Sequence, residues 1–261
     1  MIKNLIKYDL KRMLRFLVYF YAIAIGLATI ARIILIGKNI QFIYILGQVF
    51  LSLCISAIIA IVVNTFVHII RAFIFNFYKD ESYLTHTLPV TKTQLLISKM
   101  LSALIVILSS VIVCVLSVLI LFYSTSLKIT LIAVFENVVS GFNMSALGFI
   151  CLIALVVFSQ ICANLCMSFS AIVKGNSYNS KRISKGLVWF AIYYLGALFV
   201  TLLLVISVFT ILGKLPELFA TKMMQSSFIL ILIIATIAYF GIAISQFFLC
   251  KKLFNKGVNI D

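Results

Sequence analysis

Six long apolar runs separated by short polar stretches dominate the sequence. They cover residues 16–36, 43–70, 101–122, 146–173, 187–212 and 228–249. Each run reaches the length of roughly 20 residues at which an α-helix crosses ~30 Å of hydrocarbon. Strands of a membrane barrel would alternate apolar and polar residues, whereas residues 229–237 are almost continuously apolar. The pattern predicts an all-α integral membrane protein, with six transmembrane helices in a single domain over residues 1–261.

Composition and charge sharpen this fold class. The chain is 64% hydrophobic and 10% charged. Soluble domains are about 45–50% apolar and about 25% charged, so this composition excludes an ordinary soluble enzyme. Of the 21 lysines and arginines, sixteen fall in the first fifteen residues, the second and fourth connections and the tail. Such blocks between spans set topology. They predict cytoplasmic N and C termini and give no reason to expect a nucleic-acid partner.

The first fifteen residues have an amphipathic pattern. Ile2, Leu5 and Ile6 lie on one side of a helix, and Lys3 and Lys7 lie on another. We expect an interfacial helix over residues 1–15 that contacts membrane lipids and then turns into the first span. The alternative is a basic flank that only fixes topology.

The connection between the second and third spans, residues 71–99, carries an unusual mixture of side chains. It holds two of the six acidic residues, together with a histidine and a proline. Pro89 disfavours helix at Leu88, and Thr91 and Gln94 have the spacing of a capping box that would start the third helix at about Lys92. We expect a compact cytoplasmic projection on which a partner docks. An ordinary polar loop is the alternative.

This connection resembles one in a known family. The run from Tyr78 to Thr91, with Ser98-Lys99 shortly after it, is similar to the coupling helix of permease subunits in ABC type-2 exporters of the bacterial plasma membrane. The resemblance implies a second permease copy, separate ATPase subunits that dock on the loop, and a hydrophobic or amphipathic cargo such as a peptide, toxin or antibiotic. The ATPase-coupling residues it implies are Lys79, Asp80, Glu81, Leu84, His86, Leu88, Pro89 and Thr91.

Catalytic motifs are absent from the sequence. No G-x-x-x-x-G-K-[ST] phosphate loop is present, so ATP and magnesium are expected in the partner ATPase, with no cofactor in this chain. No acidic residue falls in a predicted span, which disfavours coupling to protons or sodium. The two histidines have no H-E-x-x-H context, and we assign no catalytic or metal-binding residue.

Polar positions within the spans suggest a path for the cargo. Gln48, Ser52, Ser56 and Asn64 share one face of the second span, where they line a cavity or hydrogen-bond to other helices. By the family resemblance, a wall of the fifth span faces the second copy across the path. That wall comprises Phe190, Tyr193, Ala197 and Thr201. A different class of function also remains open, in which a membrane immunity protein sequesters a peptide without pumping it.

Overall fold

The computed structural model describes residues 2–36, 41–78, 90–122, 145–178, 181–214, 216 and 225–255. Within them lie six long α-helices, each long and apolar enough to cross a membrane. The helices are α1 (Ile2–Ile36), α2 (Gln41–Tyr78), α3 (Lys92–Phe122), α4 (Ala146–Asn176), α5 (Arg182–Ile211) and α6 (Gln225–Asn255). This confirms the all-helical prediction with six candidate spans.

Capping groups mark the start of α4 and the end of α5. The Ser145 side chain accepts a hydrogen bond from the Gly148 backbone N–H at 3.2 Å and starts α4. Gly213, with a φ of 67°, ends α5. There the Gly213 and Lys214 N–H groups donate to carbonyls of the last turn, in a Schellman arrangement. Most of the helices are longer than the apolar runs that predict them and continue into the neighbouring polar sequence.

The N-terminal prediction needs a correction. We expected a separate interfacial helix over residues 1–15 that turns into the first span, but α1 is continuous from Ile2 to Ile36. One buried stripe at spacings of three and four explains the continuity, since it runs unbroken through the expected turn and packs on α3. The stripe comprises Asp9, Met13, Leu17, Tyr21, Ala24, Ala28 and Ala31.

The chain divides into two compact units. In unit 1, which contains α1, most of α2, and α3, helices α1 and α3 run parallel and α2 runs antiparallel to them. A buried hydrogen-bonded node joins all three. The Ser110 hydroxyl lies 2.6 Å from the Tyr21 hydroxyl and 2.8 Å from that of Thr65. Because polar groups are costly in an apolar surrounding unless paired, the node selects the faces on which these helices meet.

Unit 2 contains α4, α5, α6 and the last two residues of α2, and α4 is its central helix. The α4 contacts with α6 run in parallel, and the Ser170 hydroxyl donates to the Gln246 side-chain oxygen at 2.7 Å. Helix α5 is antiparallel and approaches α4 closely at two glycines. A Cβ on Gly175 would lie 2.5 Å from both the Cα and the nitrogen of Gly186. Only glycine at 175 permits this approach.

The two glycines make a matched test of the α4–α5 contact. Gly175→Ala should lower the free energy of unfolding by about 2 kcal/mol, because both clashing atoms belong to the backbone of α5. Gly186→Ala should be tolerated, since its Cβ would lie 3.6 Å or more from its neighbours. Thermal unfolding in detergent, followed by the fluorescence of the single tryptophan, Trp189, measures both. Equal midpoints for the two variants would contradict the assigned contact.

Candidate functional site

The predicted ATPase-coupling residues are described at one end only. Thr91 lies just before α3, and the reciprocal bonds of a capping box are present there. The Thr91 N–H donates to the Gln94 side-chain oxygen at 3.2 Å, and the Gln94 N–H donates to the Thr91 hydroxyl at 3.3 Å. The predicted start of this helix at Lys92 is confirmed. Outside the described residues lie Lys79, Asp80, Glu81, Leu84, His86, Leu88 and Pro89.

A buried ion pair holds the start of α3 against α1. The Lys99 ammonium lies 2.5 Å from an Asp9 carboxylate oxygen, and both side chains are about nine-tenths buried. The sequence did not indicate this pair, because Lys99 lies among the basic residues of a connection between spans and Asp9 is ninety positions away. The one available clue was that Asp9 is the single acidic residue among the five basic residues at the N terminus. Burial of both charges makes the pair a strong constraint on how α1 and α3 align.

The residues of α2 that precede segment 79–89 are also anchored by side-chain contacts. Near the end of α2, the Arg12 guanidinium donates to the Asn76 side-chain oxygen at 3.2 Å. The next residue, Phe77, belongs to unit 2, where its ring packs edge-on against Phe254 at 4.9 Å. Val90, at the far end of the segment, belongs to unit 1. The described residues on both sides of segment 79–89 are therefore anchored by contacts within their own units.

The proposed path residues of α2 are exposed or half-buried, and those with described hydrogen bonds make them within α2. Gln48, Ser52 and Ser56 are exposed, and Asn64 is half-buried. Both serine hydroxyls donate to carbonyls three residues earlier on the same helix, and the Asn64 amide donates to the carbonyl of Ala60. These groups are satisfied within α2. The described contacts leave the face open and do not join it to another helix.

On α5, two of the four proposed path residues border an open cavity of about 620 Å³ between α5 and α6. These are Tyr193 and Ala197. Phe190 packs beside the neighbouring α4–α5–α6 core cluster. Thr201 is absent from the residues described around the cavity, and its hydroxyl donates to the carbonyl of Leu198.

The cavity is apolar along most of its length and polar at one end. Aliphatic side chains and two glycines form its body, and Ser245, Gln246 and Tyr193 bring polar atoms to one end. Among the residues that the structure describes, no three His, Cys, Asp or Glu side chains cluster closely enough to hold a metal ion. The lining suits an elongated apolar molecule with a polar terminus.

The Asp9–Lys99 pair yields a stability prediction. Asp9→Asn should lower the free energy of unfolding by about 3 kcal/mol, because it leaves a buried ammonium without its carboxylate. Adding Lys99→Met should recover most of the loss by removing that charge. Lys7→Gln, which removes an exposed charge from the same helix, serves as the control and should have little effect. Thermal unfolding in detergent measures all three. If Asp9→Asn behaved like Lys7→Gln, the pair would have no structural role.

Comparisons with known proteins leave the family unassigned. No protein-family model, no curated protein and no solved structure matches this chain. The similarity to ABC type-2 permeases therefore depends on the local pattern around residues 78–99 and on the order of the six apolar runs.

Proposed function

We propose that this chain is the transmembrane subunit of an ATP-driven ABC exporter. In this proposal, two copies, or one copy and a close paralogue, enclose a path through the bacterial plasma membrane for a hydrophobic or amphipathic substrate. Separate ATPase subunits bind ATP and magnesium and dock on segment 79–89 from the cytoplasm. The chain itself carries no phosphate loop, so an energy source outside it is required for pumping.

The observation that supports this proposal is the anchoring of the described residues on both sides of segment 79–89. A docked partner transmits movement only if the helices that flank its docking segment are held by the rest of the fold. At one flank, α2 is held through Asn76 and Phe77, and at the other, α3 is held through its capping box and Lys99. Displacement of the segment would move α3, which contacts α1 through the Lys99–Asp9 pair. It would also move the end of α2, which contacts α6 through Phe77 and Phe254.

The open faces of the helices support a paired arrangement. Only Gly186, Ala197 and Phe209 of α5 are buried within the chain, although α5 is 30 residues long. The exposed remainder includes Leu195 and Phe199, which are more than three-fifths exposed. A face of this kind is covered by lipid or by a second membrane subunit, and from Gly186 to Ile211 it bears no charged side chain that would select a small ion. It suits a cargo with apolar character.

Co-purification tests the docking role. When the chain is expressed with its neighbouring genes, it should retain a protein that contains a phosphate loop, and Glu81→Arg should abolish both this retention and the stimulation of ATP hydrolysis. Glu217→Arg makes the same charge reversal in a connection expected on the opposite side and should leave both unchanged. The proposal fails if no ATP-binding protein is retained or if the two variants behave alike. If the chain still protected cells against a toxic peptide after the ATPase gene was deleted, sequestration of the peptide without pumping would be favoured instead.

A further inference from the structure

Positive charge is concentrated at one end of unit 2. Helices α4 and α6 run parallel, since Phe158 packs near Phe240 and Ser170 bonds to Gln246, and α5 runs antiparallel to them. The end of α4, the start of α5 and the end of α6 therefore lie at the same end of the unit. Six basic residues occur there, namely Lys174, Lys181, Arg182, Lys185, Lys251 and Lys252. The described residues of unit 2 include no aspartate or glutamate.

Two of these cations are held above aromatic rings. The Lys174 ammonium lies 5.3 Å from the centre of the Trp189 ring, and the Lys185 ammonium lies 4.3 Å from the centre of the Tyr178 ring. Contacts of this kind are favourable and restrict a flexible side chain. Two of the six cations at the basic end of unit 2 are thus positioned by contacts within the unit.

The α5–α6 cavity begins close to this basic end. Tyr193, at its polar end, packs against Trp189 with ring centres 5.7 Å apart. On α6, Gln246 precedes Lys251 by five residues, which is about 7.5 Å along a helix. From Ile192 to Leu204 the cavity follows α5 for about 18 Å, slightly more than half of the ~30 Å hydrocarbon layer. Its length matches a chain that occupies one leaflet.

Two glycines border open space in the cavity. Gly196 of α5 and Gly241 of α6 both line it, and a Cβ added at either position would meet no atom within 4 Å. The space above them is therefore free in this chain. The polar end adds hydrogen-bonding groups, since Gln246 carries an amide nitrogen with two donors beside the oxygen that accepts from Ser170.

We infer that the α5–α6 cavity binds an anionic phospholipid of the surrounding membrane. One acyl chain lies in the apolar groove over Gly196 and Gly241, and the phosphate lies against the basic end of the unit. A zwitterionic lipid fills the same groove but leaves the concentrated positive charge uncompensated, so the anionic headgroup provides selectivity. The inference does not rest on the proposed exporter function, because it uses only contacts within unit 2.

The single tryptophan makes the site directly measurable. The protein is reconstituted in phosphatidylcholine vesicles that contain the same small fraction of either phosphatidylglycerol or phosphatidylcholine with brominated acyl chains, and quenching of Trp189 is recorded. Brominated phosphatidylglycerol should quench with about tenfold higher apparent affinity than brominated phosphatidylcholine. Replacing chloride by inorganic phosphate at equal ionic strength should not change this preference, because free phosphate lacks the acyl chain.

Two variants with matched controls separate the groove from the headgroup contacts. Gly196→Phe fills the groove and should abolish the preferential quenching, whereas Gly26→Phe, at an equally open glycine of unit 1, should retain it. Lys251→Gln combined with Lys252→Gln should reduce the preference for phosphatidylglycerol severalfold and leave quenching by phosphatidylcholine intact. The pair Lys7→Gln and Lys11→Gln removes the same charge from unit 1 and should leave the preference unchanged.

Several results would overturn the inference. Equal quenching by the two brominated lipids would remove the anionic selectivity, and an unchanged Gly196→Phe variant would remove the acyl chain from the cavity. If both double-lysine variants lost the preference for phosphatidylglycerol equally, the preference would come from the general surface charge of the protein and not from this site. Loss of the preference in inorganic phosphate would indicate a site for free anions. Quenching by neither lipid would indicate that another occupant, such as a second copy of the chain, covers the groove.

Discussion

Close contact between small and hydrogen-bonding side chains determines how these helices associate. The helices are apolar on almost every face, so burial of apolar area alone does not distinguish one face from another. In unit 1 the discrimination comes from the alanine stripe of α1, the Tyr21–Thr65–Ser110 node and the Asp9–Lys99 pair. In unit 2 it comes from the Gly175–Gly186 approach. Disruption of these contacts leaves helices that are still apolar but have no preferred partner face.

The same constraint explains what was predictable from sequence. Hydropathy reports the length of each apolar run and therefore located all six helices, and the Thr91–Gln94 box follows a local rule that was confirmed. Pairings between distant residues have no such local pattern. The Asp9–Lys99 pair spans ninety positions, and its members looked like ordinary flanking charges. The continuity of α1 was missed because the change from basic to apolar composition at Phe16 resembles a boundary, although the buried stripe crosses it unchanged.

For the residues proposed on the fifth span, the structure adds a geometry that the sequence does not contain. Tyr193 and Ala197 line the cavity, while Gly196 lies beside them and was not selected. The sequence alone does not show whether an isolated glycine in an apolar helix permits close packing, as Gly175 does, or borders open space, as Gly196 does. Only the position of the neighbouring helix distinguishes the two. The role of α2's polar face stays a prediction, because its side chains bond within their own helix.

The exporter proposal depends most directly on segment 79–89. The described residues on both sides of it are anchored, and the exporter proposal requires that an ATPase bind to it. The most direct measurement places a photo-crosslinking residue at Tyr83 in living cells, with Leu218 as the control position. The account predicts a covalent adduct from position 83 that contains a phosphate-loop protein, and no such adduct from position 218. Absence of this adduct at position 83, or the same adduct at both positions, would contradict it.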